Sequence, residues 1–230
     1  MKQILTTGII LARTDYGEAD RIITVLTPDH GKLRLMARGV RRIKSKLAGG
    51  IELFSTSHIT FIEGRGEIGT LISTRLIKHY GTIIKDIDRV QLGYELIKLL
   101  NKATEDHPEA EYYRLMERSF AALDNAVIDI GLVRAWFQAQ LLKLAGHTPN
   151  LSTDTSGQKL TAGQTYNFDF DAMAFAPHAG GKYTDADIKV LRLLCSDHSP
   201  TDIVKVQGAE DRIGTAYTIV RTMLQSLVTL

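Results

Sequence analysis

Arg38, Arg41, Arg42, Lys44 and Lys46 place five cations within nine residues, Arg38–Lys46, with no acid among them. Lysine and arginine neutralise phosphate, and arginine adds a planar fork that grips an oxyanion in two places. Like charges crowded on a folded scaffold repel, and a polyanion relieves that repulsion. Lys32 and Arg34 lie just upstream on a segment that reads as a strand. Side chains at i and i+2 of a strand share a face, so both extend the basic patch. The competing reading is a solvated loop with no ligand. Stacking platforms are sparse in this region, where Tyr16, Phe54, Phe61 and Tyr80 are the only aromatic residues. That favours contact with the phosphate backbone over the reading of bases.

Other groups capable of chemistry fall short. Gly64-Arg65-Gly66-Glu67-Ile68-Gly69 matches the glycine fingerprint of dinucleotide sites. The residues after it are rich in β-branched types and do not open a helix, so a hairpin turn is the better reading. Cys195 lies on an apolar helical stripe and reads as core. The seven histidines have no spacing suited to a metal. Asp169 and Asp171 alternate with Phe168 and Phe170, as on a strand with one wet face. No catalytic residue, cofactor or metal is expected, and the chain does not read as an enzyme.

Two kinds of element must position the basic segment. Residues 1–80 carry 13 Lys and Arg against 7 Asp and Glu, while residues 81–230 carry 15 against 19. A front of net +6 and a rear of −4 suggest separate jobs. The front reads as five short strands: Gly8–Ala12, Arg21–Leu26, Lys32–Ala37, Ser57–Ile62 and Ile68–Leu76. Thr27-Pro28-Asp29-His30-Gly31 supplies a turn between the second and third. Such a run of strands suggests a small barrel or sandwich. From Asp86 the apolar period becomes helical. One stripe is Ile87, Val90, Tyr94, Ile97 and Leu100; the next, after Pro108, is Tyr112, Leu115, Met116, Phe120 and Leu123. A third is Ile128, Leu132, Trp136, Ala139 and Leu142, closed by Gly146. These predict three helices packed as neighbours. Residues 147–183 break the pattern, with small strands expected at Thr165–Phe170 and Met173–Phe175. Helix then resumes at Thr184 and at Ser199-Pro200, and the last stripe runs from Ile213 to Leu227. One cysteine excludes an intrachain disulfide. The start, Met-Lys-Gln-Ile-Leu-Thr-Thr-Gly, lacks the pattern of a secretory leader, and no apolar run reaches membrane-spanning length. A cytoplasmic protein is expected.

With these elements in place, the chain resembles the RecO family of bacterial recombination mediators. The likeness is most specific in GIILARTDYGEADRIITVLTPDHGKLRLMARGVRRIKSKLAG. There a Gly-led strand precedes Tyr16, Gly17, Glu18 and Asp20; then come Thr27, Gly31 and Lys32, and a basic segment through Arg38, Gly39, Lys44 and Ser45. FQAQLLKLAGHTPNL later resembles the family's helix end before a ribbon insert. The resemblance implies a multidomain α+β protein: an OB-fold β-barrel over 1–80, then an all-α helical domain over 81–230. That domain would carry a zinc-ribbon-like insert at 147–183. It implies binding of single- and double-stranded DNA, strand annealing, work with RecR, and contact with the acidic tail of single-stranded-DNA-binding protein. It also implies help in loading the recombinase. The DNA-binding residues would be Lys32, Arg34, Arg38, Arg41, Arg42, Lys44 and Lys46, and Arg134, near Trp136 and Phe137, is the candidate for the tail.

One departure is plain. Where many relatives carry paired cysteines, this chain has Thr153 and Ser156, then Thr184 and Asp187. Hydroxyls are poor zinc ligands, so no zinc is expected. Thr184 and Asp187 suit a helix start instead, and Tyr166, Phe168, Phe170 and Phe175 could pack the insert. Two rival functions stand beside annealing: a general OB-fold binder acting on RNA, and a scaffold whose basic loop takes an acidic protein.

Overall fold

The structure, a computed structural model, describes residues 2–64, 66–104 and 109–227, with the backbone alone at 227. Arg65, His107 and Pro108 of the sequence motifs, and the side chain of Leu227, lie outside the described residues. The chain forms two compact units, Met1–Asp124 and Asn125–Leu230.

In the first unit, five strands run β1 Gln3–Tyr16, β2 Asp20–Thr27, β3 Gly31–Ala37, β4 Ser55–Ile62 and β5 Ile68–His79. They close a barrel in the order β1-β2-β3-β5-β4. Strand β1 is long enough to serve two seams. Its first half pairs with β4, Gln3 opposite Ile62, and its second half with β2, Tyr16 opposite Asp20. All pairings are antiparallel except β3 with β5, where Arg34, Leu35 and Met36 face Ile68, Gly69 and Thr70 in parallel. The β2–β3 turn forms as its residues predict. Thr27 Oγ1 donates to the Gly31 carbonyl at 2.9 Å and accepts from the His30 N–H at 3.0 Å. Gly31 takes φ +64°, the left-handed region open to glycine.

Alternation sends Ile10, Ile23, Val25, Leu35, Ile59, Phe61 and Leu71 into the barrel. Val40 and Ile51, which belong to the β3–β4 connection, join them. Gly8 permits a tight point in this core: a Cβ there would lie 2.2 Å from Val25 Cγ1. The Gly64–Gly69 motif spans the end of the β4–β5 connection and the start of β5: Ile68 and Gly69 already belong to β5, which pairs antiparallel with β4 and opens no helix.

Two helices complete this unit, α1 Ile87–Ala103 and α2 Ala110–Leu123. Asp86 caps α1 by accepting from the Asp88 and Arg89 N–H groups. Buried Arg89 donates to the Leu123 carbonyl at 2.7 Å, tying α1 to the end of α2. The buried face of α1 is Arg89, Leu92, Gly93, Leu96, Ile97, Leu99 and Leu100. This corrects the expected stripe, since Ile87 and Tyr94 are exposed. Gly93 carries the closest approach, its hypothetical Cβ falling 2.5 Å from Phe54 Cε1. A contact made by a missing side chain leaves no apolar mark in the sequence.

The second unit holds α3 Ile130–Leu144, four small strands, α4 Asp185–Cys195, α5 Pro200–Ile203 and α6 Glu210–Leu227. Helix α3 packs on α4 and α6 here, whereas α1 and α2 belong to the first unit. The three helices expected as one neighbour set are therefore divided between the units. Helix α3 is buried almost all round. Trp136 Nε1 donates to the His198 carbonyl at 2.7 Å, and Gln140 Nε2 reaches the Leu194 and Ser196 carbonyls. Gly146 comes just after the helix at φ +81°, as expected of a C-terminal glycine.

The small sheet is β6 Asn150–Asp154, β7 Thr165–Asp169, β8 Ala174–Pro177 and β9 Tyr183–Thr184, in the order β6-β8-β7-β9. Its aromatic residues lie edge to face: Phe168 against Phe170 and Phe175 at 5.0 and 5.1 Å, and Phe175 against Tyr166 and Tyr183. At one end Asp154 accepts from the Ser156 hydroxyl at 2.7 Å and from the Ser156 and Gln158 N–H groups. The Ser156 hydroxyl, seconded by these backbone donors, holds the Asp154 carboxyl below its usual pKa. Its stabilisation is present at neutral pH and is lost as pH falls through that lowered value. At the other end Asp187 accepts from the Thr184 N–H at 2.8 Å and hydroxyl at 2.7 Å, closing the start of α4.

Candidate nucleic-acid interface

The segment Arg38–Lys46 leaves the barrel where β3 ends, and the fold holds it at several points. Val40 is buried in the barrel core. The Gly39 N–H donates to Asp20 Oδ1 at 2.7 Å, and the Arg41 N–H to the Ala19 carbonyl at 2.9 Å. Two tight turns come next, Arg42 N–H to the Gly39 carbonyl and Ser45 N–H to the Arg42 carbonyl. Ser45 Oγ accepts from the Leu47 N–H, and Thr74 Oγ1 on β5 donates to the Leu47 carbonyl at 3.1 Å. The cations thus stand on a shaped loop.

They divide by what they touch. Arg41 lies 3.6 Å from Asp15 and donates to the Gly17 carbonyl at 3.3 Å. Arg21 donates to the same Asp15 at 2.7 Å. The Arg21 hydrogen bond first, then the charge of Arg41, keeps the Asp15 carboxyl below its ordinary pKa. Arg41 therefore helps seat the loop. Arg38, Arg42, Lys44 and Lys46 are exposed, and among the described residues none has an acidic partner. Ile43, in the midst of them, is fully exposed.

Lys32 and Arg34 stand two residues apart on β3. Both line a cavity of about 420 Å³ beside the β3–β5 seam. Glu63 and Glu67 line it too, and Arg34 lies 3.7 Å from Glu67. Lys32 is half-buried and donates to the Thr104 carbonyl at 2.9 Å. The geometry therefore leaves four loop cations open to an anion and gives Lys32, Arg34 and Arg41 partners within the unit.

Of the front aromatics, Phe54, Phe61 and Tyr80 are buried and Tyr16 is exposed. The aromatic residue missed by sequence reasoning is Tyr94, which helical spacing places in the core and which is 49% exposed. In the second unit Arg134 is half-buried and engaged, while Trp136 and Phe137 are fully buried. The apolar surface that singled out Arg134 thus belongs to the core.

Cys195, expected in the core, is half-buried at the end of α4, and burial pushes its thiol pKa up to about 11. Among the described residues no three His, Cys, Asp or Glu side chains stand close enough together to hold a metal, and no helix is long and apolar enough to cross a membrane.

Residues 1–80 match the family described as "Recombination protein O N terminal", and residues 84–228 match "Recombination protein O C terminal". Similar curated proteins include the DNA repair protein RecO of Dehalococcoides mccartyi, 30% identical over 178 residues, 76% of this chain and 66% of the relative. That of Desulfatibacillum aliphaticivorans is 31% identical over 154 residues, 66% of this chain and 60% of the relative. That of Bifidobacterium longum subsp. infantis is 34% identical over 149 residues, 64% of this chain and 62% of the relative. In each comparison the matched segment spans less than two thirds of the relative's length.

Proposed function

The chain belongs to the recombination protein O family, a family of DNA repair and recombination proteins, and on that premise we propose that it is a non-catalytic DNA-binding and strand-annealing mediator. The observation that carries the reading is the shaped loop with four cations, Arg38, Arg42, Lys44 and Lys46, that lack acidic partners among the described residues. A scaffold that holds such charges apart from acids is suited to a backbone of phosphates. The barrel, with its strand order and parallel β3–β5 seam, is read as an OB-fold, an architecture whose surface takes single strands. In this reading residues 1–80 hold DNA, with Lys32, Arg34 and Arg41 supporting the loop. Residues beyond 80 also serve partners: RecR and the acidic tail of single-stranded-DNA-binding protein. The mediator then helps load recombinase onto coated strands, in the cytoplasm.

The small sheet is read as a ribbon-like module without zinc. Its residues do not fit the ion: the hydroxyls of Ser156 and Thr184 already donate to Asp154 and Asp187. Chelation with EDTA should therefore leave the thermal unfolding midpoint unchanged, with no stoichiometric zinc found by metal analysis. Asp154→Asn should lower that midpoint, because it weakens the acceptor that three donors share. One zinc per chain, lost with EDTA along with stability, would refute this account of the insert.

The function is tested by mixing complementary oligonucleotides coated with single-stranded-DNA-binding protein. Addition of the chain should speed duplex formation, and its affinity for either strand should fall steeply with salt. In competition, RNA of matched length should not displace DNA preferentially. Preferential displacement would favour an RNA reader using the 2′-OH, and negligible affinity for either nucleic acid would favour a protein-binding scaffold.

A further inference from the structure

A second cavity in the first unit, about 520 Å³, opens between β1 and α1. Its lining is Leu11, Ala12, Arg13 and Leu53 on one side and Tyr94, Ile97, Lys98, Asn101 and Lys102 of α1 on the other. The size falls within the roughly 300–1,000 Å³ range of small-ligand sites. Three of the lining residues are cations and none is an acid. Arg13 is paired with Glu52 at 2.7 Å just outside the cavity. Lys98 and Lys102 are exposed and, among the described residues, have no partner. They stand four residues apart on one helix face, where like charges repel.

We propose that this cavity is a nucleotide pocket that takes one unpaired base of a DNA strand held by the basic loop. This rests on the DNA-binding reading above and gives it a preference for single strands. Tyr94 supplies the face on which a base stacks. Its ring lies 5.4 Å from that of buried Phe54, at 68°, so it is buttressed from within the unit. Asn101 offers an amide donor and acceptor together, the complement of a base edge. Lys98 and Lys102 meet the phosphates on either side. Leu11, Leu53 and Ile97 form an apolar floor that a base covers and a bare phosphate chain does not. The chain that leaves the loop at Lys46 passes through Leu53 in the cavity wall, next to the Arg13–Glu52 pair, before β4 begins at Ser55. A paired base is sheathed by its neighbours in the duplex and cannot enter. Acidic peptides suit cations equally, but the exposed aromatic ring and the planar amide favour a base.

The test uses the full chain and labelled oligonucleotides, one single-stranded and one duplex, measured by fluorescence anisotropy. Tyr94→Ala should weaken single-strand binding about 10-fold, within the range for loss of one base–aromatic stack, and leave duplex affinity within about twofold. Tyr94→Phe should retain single-strand affinity, and this separates loss of stacking from loss of fold. The Lys98→Gln and Lys102→Gln pair should also weaken the single strand. A 2-aminopurine in the strand should change its fluorescence on binding the wild-type protein and not the Tyr94→Ala variant. Equal losses for single strand and duplex would overturn the pocket, leaving only general charge. Unchanged single-strand affinity with lost binding of an acidic peptide would assign the cavity to a protein partner. In both cases wild-type DNA binding persists, whereas its absence would sink the DNA-binding reading itself.

Discussion

Reversal of Arg42, Lys44 and Lys46 to Glu is expected to weaken DNA binding by about two orders of magnitude or more near physiological salt. Each change removes an attraction and adds a repulsion at a site with no competing acid among the described residues. The milder triple replacement by Ala separates charge from disruption. On single strands each lost phosphate contact removes about 0.7 from the slope of log K against log salt, so the slope should fall by about 2. A salt titration followed by anisotropy reads both numbers. Annealing should be lost with binding. An unchanged affinity would show that the strand lies elsewhere on the barrel. Arg41 is omitted from the triple on purpose, because its contacts with Asp15 and the Gly17 carbonyl serve the loop's seat. Its replacement would confuse a lost phosphate contact with a displaced loop.

The largest expected effect on stability is that of Phe54→Ala, about 3–5 kcal/mol for a buried ring of this size. Phe54 lies in the left-handed region at φ +54°, and its carbonyl accepts from the Tyr80 N–H at 2.9 Å. Its ring stands over Gly93 and touches Tyr94 and Phe120 at 5.4 Å each. Ala keeps the backbone strain and loses all of that packing, so nothing offsets the cavity. Urea unfolding followed by far-ultraviolet circular dichroism checks it, read over the first unit's transition. Fluorescence of Trp136, the single tryptophan, reports the second unit and should change little. A loss under about 1 kcal/mol would mean that this ring is not the linchpin of the unit.

Much of the barrel is legible because its code is local. Ile22–Val25 and Ile59–Phe61 declare strands by branching and alternation, and Thr27–Gly31 declares a turn. The basic loop is legible as composition. Its division into seated and open cations is not, because Asp15 and Arg41 meet only after β1 and β3 are brought to one rim. Helix α1 misleads for a related reason. Its contact with Phe54 runs through Gly93, which a count of apolar residues treats as a gap, and the apparent stripe therefore counts exposed Ile87 and Tyr94 as core. Helix α3 carries the opposite difficulty. With Ala135 through Leu142 all buried, it has no wet face from which to infer an orientation, so Arg134 beside Trp136 reads as the edge of a surface groove. In the insert, the rings of Tyr166, Phe168, Phe170 and Phe175 stand out in the sequence and do pack together, whereas the order of the small strands does not show there.

The final form of the basic loop depends on β5, the last strand of the barrel. The loop is encoded near the front, but its far end is gripped by Thr74, and its core neighbour Leu71 lies on the same late strand. A ribosome must therefore have delivered β5 before residues 38–46 take their final form. Until then the nascent segment is a run of positive charge without its anchoring contacts. Barrel closure gives that charge a surface of fixed shape, so the last strand of the barrel completes the form of a loop encoded some thirty residues before it.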